Sequence, residues 1–353
     1  MKVCMVVPEE TVKGGIASVV NGYRQKGLGE NITISYVESY RDGSKWQKLG
    51  KALKAYVLFR KEIRKNRPDI VHIHSSFGPS FYRKMPFIYM ANKAGIPIVN
   101  HIHGAEFDVF YEKASDKKRK RIQIVYNKCH MLIALSKEWE ERLSQIVPAE
   151  KICIIENYCM IPKEPTRGEE KILFLGEISK RKGCLDIPKI YHKYCCESAA
   201  HGVTPWPLVM AGDGPDKEIV EKVLSRENVR FTGWVRGKEK DKLLESCGLF
   251  LFPSYNEGMP MAILEAMAYG MAILTTNVGG IPKLIEDGFS GFLCEPGSQE
   301  IMVKRLLELT EDTDKRRLYG MAAREKALHH YSYETHRKKM VMAYEKVVQD
   351  YGQ

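Results

Sequence analysis

Residues 250–297 read FLFPSYNEGMPMAILEAMAYGMAILTTNVGGIPKLIEDGFSGFLCEPG and hold the pattern that decides the fold. The apolar run at 249–253 predicts a short buried strand, and a helix is expected from about Met261 to Tyr269. We expect Pro260 at the first helical position, where its missing N–H has no partner to lose. The stretch therefore predicts a strand, a tight loop and a helix, which is the repeating unit of an α/β sheet.

Two carboxylates flank this loop. Glu257 lies on the loop, and Glu265 lies eight residues later on the inner turns of the predicted helix. Gly258 lets the backbone approach a ligand closely, and the free amides at a helix start favour an anion. The pattern indicates a socket for a negatively charged, hydroxyl-rich ligand. On spacing alone, an ordinary strand-loop-helix unit with two solvated glutamates fits equally well.

Length and composition indicate two globular domains. A chain of 353 residues exceeds one typical core, and its 44% apolar and 28% charged residues are ordinary for a globular protein. Neither a membrane span nor a secretory signal is expected, since no long uncharged apolar window and no cleavage site occur. The nine cysteines are scattered without a Cys-x-x-Cys pair, which favours reduced thiols and a cytoplasmic location.

Positive charge is concentrated in the first half. Residues 1–165 hold 28 Lys and Arg against 17 Asp and Glu, a net charge of +11, whereas residues 166–353 hold 27 of each. We therefore expect the basic N-terminal half to make peripheral contact with an anionic membrane, at the inner face of the plasma membrane. Nucleic acid is not expected as a partner, because no aromatic-plus-basic recognition module occurs.

The densest basic segment is a predicted amphipathic helix at 45–65. Residues 41–67 hold 10 Lys and Arg against 2 Asp and Glu. Such a helix either lies on anionic lipid or packs on a sheet with a solvated outer face, and packing is the commoner case. The apolar residues at helical spacing are Trp46, Leu49, Leu53, Tyr56 and Ile63.

Strand and helix patterns alternate along the whole chain, with a Pro- and Gly-containing linker at 157–170. Continuous apolar strands are typical of parallel sheets covered on both faces. The fold class predicted is therefore α/β, with two Rossmann-like doubly wound parallel-sheet domains facing a central cleft. We expect the first domain at 1–160, with the last helix, 333–353, packing back on it, and the second at 168–330.

Two features of the first half are candidates for ligand contact. Gly14 and Gly15 follow the first predicted strand and make a plausible phosphate-binding turn, although they are not the G-x-G-x-x-G fingerprint of dinucleotide sites. His103 precedes a glycine in the loop 101–108, at the carboxyl end of a strand, where open α/β sheets bind ligands. His72 and His74 share one strand face, but no ligand spacing typical of zinc accompanies these histidines, so no metal is expected.

The order of motifs resembles that of one large enzyme family. After Gly14-Gly15 and His101-x-His103-Gly104 come FLGEISKRKG (174–183), MAGDGP (210–215), FTGWV (231–235) and the Glu257-x7-Glu265 stretch. The set is similar to the retaining, nucleotide-sugar-dependent glycosyltransferases of the GT-B fold, group 1 type, with the E-x7-E motif. The resemblance covers nearly the whole chain and is weakest at about 28–95.

The resemblance implies a role for each motif residue. Catalysis would involve His103, Lys182 and Glu257, with Lys182 on the diphosphate and Glu257 facing the transferred sugar. Glu265 would accept hydrogen bonds from the ribose hydroxyls. The implied donor-binding residues are Gly14, Gly15, Arg181, Lys182, Gly212, Gly233, Trp234, Val235, Gly258, Met259, Pro260, Met261 and Glu265.

The implied reaction moves a sugar from a nucleotide diphosphate sugar to a hydroxyl of a glycan or lipid-linked acceptor, without a metal or other cofactor. The family usually has Arg where this chain has Glu177, and Arg181 is the candidate to replace that cation. Two alternatives stay open: a non-catalytic glycosyltransferase-like scaffold subunit, and a sugar-nucleotide epimerase on the same fold.

Overall fold

The computed structural model describes residues 1–104, 107–166 and 168–352. Three predicted segments lie partly outside the described residues: the 101–108 loop at Ala105 and Glu106, the linker at Arg167, and the last helix at Gln353. The chain forms two compact units, one of Met1–Asn157 with Tyr333–Gln353 and one of Tyr158–Ser332.

The first unit is a six-stranded parallel sheet in the order β2-β1-β3-β4-β5-β6. Its strands and helices are β1 (Lys2–Pro8), α1 (Gly15–Lys26), β2 (Thr33–Tyr40), α2 (Lys45–Lys65), β3 (Ile70–Ser75), α3 (Pro79–Lys93), β4 (Ile98–Ile102), α4 (Asp116–Asn127), β5 (Met131–Ala134), α5 (Lys137–Leu143), β6 (Ile152–Ile154) and, from the chain's end, α13 (Tyr333–Gly352).

The second unit is also a six-stranded parallel sheet, in the order β12-β11-β10-β7-β8-β9. Its elements are β7 (Glu169–Leu175), α6 (Ile187–Ala200), β8 (Leu208–Ala211), α7 (Lys217–Val223), β9 (Val229–Gly233), α8 (Gly237–Ser246), β10 (Cys247–Phe252), α9 (Met261–Tyr269), β11 (Ala272–Thr276), α10 (Ile281–Leu284), β12 (Phe292–Cys294), α11 (Gln299–Glu311) and α12 (Thr313–His330).

These sheets confirm the predicted doubly wound α/β class. Central strands are buried throughout, because helices cover both faces of a parallel sheet. In each sheet the strand order reverses once, between β1 and β3 in the first unit and between β7 and β10 in the second. Ligands of open α/β sheets bind outside the carboxyl ends of strands at such a reversal.

The last helix contributes to the core of the first unit. The buried side of α13 carries Tyr333, His336, Met340 and Tyr344. The hydroxyl of Tyr344 shares a hydrogen bond of 2.5 Å with His72 Nδ1 on β3, and the Tyr23 hydroxyl on α1 lies 2.6 Å from His336 Nε2. The unit is therefore built from two separate stretches of sequence.

Helix α2 differs from its predicted packing. Its buried side consists of Ala52, Ala55, Phe59 and Ile63. Of the predicted apolar face, only Ile63 is buried; Tyr56 is half-buried, and Trp46, Leu49 and Leu53 are exposed. The helix does pack on the sheet, but of the five apolar residues at helical spacing only Ile63 lies fully on the packed side.

Candidate active site

Two loops meet at the strand-order reversal of the second unit. The loop after β7 contains a 3-10 turn at Lys180–Lys182, and the loop after β10 carries Glu257. Because β7 and β10 are neighbours in the sheet, their carboxyl ends bring these two loops side by side. Backbone bonds join them, since the Tyr255 amide donates to the Arg181 carbonyl over 2.9 Å.

A buried ion pair lies where the loops touch. Lys182 Nζ donates to Glu257 Oε1 over 2.5 Å, and Ser254 Oγ donates to the same oxygen over 2.7 Å. Glu257 is only 6% exposed, so its carboxylate depends on these partners. The ammonium of Lys182 also lies 5.0 Å from the ring centroid of Phe252. The pair holds a cation and an anion fixed at the edge of the sheet.

Arg181 lies beside the same carboxylate. Its Nη1 donates to the Asn256 carbonyl over 3.1 Å and lies 4.0 Å from Glu257 Oε1. Its Nη2 lies 3.4 Å from Glu177 Oε2, the carboxylate that stands where the family usually has Arg. The structure thus places Arg181 next to the Glu177 position, and its part in phosphate binding stays a prediction.

Glycines allow the loops to approach this closely. Gly183 has a φ of +71°, and a Cβ on it would lie 1.9 Å from the Pro253 carbonyl oxygen. Gly279 has a φ of +50°, and a Cβ there would lie 1.8 Å from the Glu257 carbonyl oxygen. Any side chain at either position would push the Glu257 loop away from its present place.

Glu265 has a partner that the sequence did not indicate. It lies on α9, and its Oε1 accepts from Lys240 Nζ of α8 over 2.6 Å. Burial acts to lower the pKa of Lys240, but the charge and hydrogen bond of Glu265 outweigh it and raise this pKa. Lys240 therefore stays charged and neutralises the carboxylate predicted to bind ribose.

The other predicted donor residues of the second unit line the same sheet edge. Gly258, Met259 and Pro260 are buried in the loop, and Met261 begins α9. Pro260 is the N-cap residue in extended conformation, so its predicted place at the first helical position was wrong by one residue. Gly212 directly follows β8, Gly233 ends β9, and Trp234 and the buried Val235 follow it.

The predicted residues of the first unit lie at the carboxyl edge of its own sheet. Gly14 is the N-cap of α1 and Gly15 its first residue, and both are exposed. His103 directly follows β4, and its Nε2 lies 3.0 Å from His74 Nδ1. Exposed amides at the start of α1 are available to an anion.

A cluster of buried histidines lies behind His103. One nitrogen from each of His72, His74 and His101 falls within 4.8 Å of the others, which makes them a candidate metal group. However, the rings of His72 and His74 stack at 4.3 Å and those of His101 and His103 at 4.1 Å. The lone pair of a ring nitrogen lies in the plane of its ring, so the lone pairs of two stacked rings lie in parallel planes and do not converge on one point. A cation bound by two stacked rings would therefore require one ring to rotate.

Burial keeps this cluster neutral. It lowers the pKa of His72 and His103 to about 3, and that of His74 and His101 well below the ordinary value, with neighbouring histidines adding to the effect. Neither ring nitrogen of His101 has a hydrogen-bond partner among the described residues. The alternation of side chains along a strand predicts that His72 and His74 share a face, but it does not predict that the rings of all four histidines pack together.

Two family models match consecutive parts of the chain. The model for glycosyl transferases group 1 matches residues 160–326, and that for glycosyltransferase family 4 matches residues 24–158. The chain belongs to the group 1 glycosyltransferases. This confirms the predicted group 1 glycosyltransferase family, and the retaining reaction and the role of the E-x7-E motif stay predictions.

Named relatives of this glycosyltransferase include one whose name gives a diphosphoundecaprenol-linked sugar as acceptor. It is 28% identical over 286 residues to the UDP-Gal:alpha-D-GlcNAc-diphosphoundecaprenol alpha-1,3-galactosyltransferase of Escherichia coli, covering 74% of this chain and 71% of that protein. It is 37% identical over 121 residues to the sulfoquinovosyl transferase SQD2 of Arabidopsis thaliana. That match covers 33% of this chain and spans only 24% of the length of the relative.

Solved structures share the fold. HepE of Anabaena, solved in complex with UDP and glucose, superposes with a TM-score of 0.73 over 98% of this chain and 100% of that one, at 16% identity. Similarity at this level of identity establishes the GT-B fold predicted for the glycosyltransferase.

Proposed function

We propose that the protein is a retaining glycosyltransferase that moves a sugar from a nucleoside diphosphate sugar to an acceptor hydroxyl. The Lys182–Glu257 pair carries this proposal, because it fixes a cation and a carboxylate 2.5 Å apart at the strand-order reversal, beside the start of α9. Relatives named or solved with UDP or UDP-sugars favour a uridine diphosphate donor.

The pair suggests how a donor is held. Lys182 turns from Glu257 to the diphosphate as a point charge, and Glu257 then accepts from a hydroxyl of the transferred sugar. The amides of Gly258, Met259 and Met261 face the same ligand, and the α9 start favours its negative charge. Glu265 accepts from the ribose hydroxyls while its ion pair with Lys240 orients the carboxylate. The proposed contacts from the first unit are His103 and the Gly14–Gly15 turn.

As the bond between the sugar and the diphosphate breaks, negative charge develops on the departing diphosphate. We favour front-face attack, in which the acceptor hydroxyl approaches the face that the diphosphate leaves. Lys182 and the loop amides would stabilise the growing phosphate charge, and this electrostatic contribution is usually the largest that such groups make.

The acceptor in this proposal is a lipid-linked or surface-polysaccharide precursor. The named E. coli relative acts on a diphosphoundecaprenol-linked sugar. The basic N-terminal half suits an acceptor presented at an anionic membrane. All nine cysteines are free thiols, which favours the reducing, cytoplasmic side of that membrane. Among the described residues, no helix is both long and apolar enough to span the membrane.

Transfer assays with a panel of UDP-sugars test the function. Lys182→Ala and Glu257→Ala should each lower turnover by on the order of 10²–10³. Lys182→Ala removes a donor to the developing phosphate anion, and Glu257→Ala removes both the acceptor proposed for a sugar hydroxyl and the partner that holds Lys182 in place. Lys180→Ala is the matched control, because that exposed lysine lies in the same turn and should leave turnover unchanged. Near-wild-type rates in both site variants would refute the assignment. A non-catalytic scaffold would release no nucleoside diphosphate, and an epimerase would return an altered nucleotide sugar.

A further inference from the structure

Helix α2 is apolar on two separate sides, whose centres lie about 120° apart around the helix axis. One side packs on the sheet through Ala52, Ala55, Phe59 and Ile63. The other carries four large apolar side chains that are exposed to solvent: Trp46 (80% exposed), Leu49 (50%), Leu53 (55%) and Val57 (70%). Their spacing of three, four and four residues places them on one line along the helix. We call this line the α2 ridge.

The α2 ridge lies in a strongly basic surrounding. Helix α2 holds eight Lys and Arg against one acidic residue, Glu62. At 100° per residue, Arg60 and Arg64 continue the line of the ridge toward the end of the helix, while Lys54 and Lys61 lie beside it. All four of these basic side chains are exposed.

The neighbouring helices of the same sheet face extend this surface. Helix α3 exposes Tyr82 and Tyr89, and the ammonium of Lys128 lies 5.4 Å from the Tyr89 ring centroid. Helix α4 exposes Ile124 and adds further basic side chains at Lys117, Lys120 and Arg121. Aromatic rings with a polar tip, set among Lys and Arg, are typical of a membrane interface.

We propose that the α2 ridge inserts into the headgroup layer of an anionic phospholipid bilayer, with the surrounding Lys and Arg on the lipid phosphates. A helix that presents a large apolar stripe between basic side chains binds such a layer in the plane of the membrane. A protein partner fits less well, because the cores of protein interfaces are depleted in lysine, whereas this ridge has lysines directly beside it.

Membrane binding by the α2 ridge rests on the proposed function, because a lipid-linked acceptor is reached only at a membrane. The two can still fail separately. Vesicle binding is measured without any sugar donor, and donor hydrolysis is measured without vesicles. Lys182→Ala should lose transfer and keep vesicle binding, whereas ridge variants should lose vesicle binding and keep donor hydrolysis in solution.

Vesicle sedimentation with the full-length protein tests the ridge. The wild type should bind vesicles of phosphatidylglycerol and phosphatidylcholine, and bind weakly to phosphatidylcholine alone or at high salt. Replacing Trp46, Leu49, Leu53 and Val57 by Ser should lower partitioning onto the anionic vesicles by at least about tenfold. Replacing Lys54 and Lys61 by Gln should lower it severalfold and reduce its salt dependence.

A matched control removes equally exposed apolar side chains elsewhere. Leu318, Met321 and Leu328 of α12 are exposed, and their replacement by Ser should leave vesicle binding unchanged. Circular dichroism checks that each variant folds, and Trp46→Phe should remove most of the blue shift of tryptophan fluorescence that vesicles cause. Partitioning of the ridge variant within about twofold of the wild type would overturn the proposal, as would equal binding to anionic and neutral vesicles.

Discussion

Mild acid should unfold the first unit, because its buried histidines are neutral while it is folded. Burial lowers the pKa of His72 and His103 to about 3 and that of His336 to about 4, although for His336 a hydrogen bond to the Glu156 carbonyl partly opposes burial. The unfolded chain then binds protons that the folded unit does not. The free energy of unfolding therefore falls as the pH drops through about 6.5 toward these folded values, and is constant above about pH 8.

The size of the effect follows from these pKa values. A histidine with an unfolded pKa of about 6.5 and a folded pKa near 3 or 4 lowers the free energy of unfolding by about 0.8 kcal/mol at pH 6 and about 2 kcal/mol at pH 5. His72, His103 and His336 together account for about 6 kcal/mol at pH 5. His74 and His101, whose pKa values are also lowered by burial, add to this. A typical domain is stable by only about 5–15 kcal/mol.

Denaturant titrations across pH measure this loss. Pulse-labelled hydrogen exchange, read by mass spectrometry, reports the two units separately through peptides from β3 and from β10. The variant His101→Leu isolates one ring, because neither of its nitrogens has a partner among the described residues. Its pH dependence between about pH 6 and pH 5 should be shallower by about 1.2 kcal/mol per pH unit.

An exposed histidine provides the control. His192→Gln, on α6 of the second unit, should leave the pH dependence of the first unit unchanged. The reasoning is refuted if the first unit keeps its stability from about pH 8 to pH 5, or if His101→Leu shows the wild-type slope.

Two further substitutions test the second unit. Lys240→Gln leaves Glu265 without its 2.6 Å ion pair, so we expect KM for the donor to change severalfold with little change in kcat, measured by steady-state kinetics with saturating acceptor. A change in kcat alone would contradict this reading. Gly279→Ala places a Cβ against the Glu257 carbonyl, and we expect it to destabilise the second unit by about 1–3 kcal/mol and to weaken donor binding, measured by denaturation and calorimetry. Wild-type values for both would show that the loop tolerates a side chain.

The sequence predicted the sheet classes and the family well because they rest on repeated and ordered patterns. It placed Lys182 and Glu257 after two separate predicted strands, and the strand order, which sets β7 beside β10, brings their loops together. It could not indicate Lys240 as the partner of Glu265. Lys240 lies on α8 and Glu265 on α9, with strand β10 between them, and no local sequence pattern links the two helices. The strand β6 was missed, since Ile152–Ile154 is too short to give a periodic signal.

Periodicity failed at α2 for a different reason. A helix with one apolar side shows which way it faces, but α2 has two, and the pattern of Trp46, Leu49 and Leu53 merges with that of Ile63. Only the packing on the sheet shows which apolar residues of α2 are buried and which form the exposed α2 ridge. The exposed α2 ridge is the side that suggests a function.

The return of α13 to the first unit has a consequence for synthesis. A ribosome delivers the chain from its N-terminus, so the whole second unit emerges before Tyr333–Gly352, which covers His72 through Tyr344. The second unit can complete its core while translation continues, but the first unit must wait for the last segment. Until then its cluster of histidines is open to water and protons. A nascent chain stalled just before Tyr333 should therefore hold a folded second unit joined to an unfinished first one.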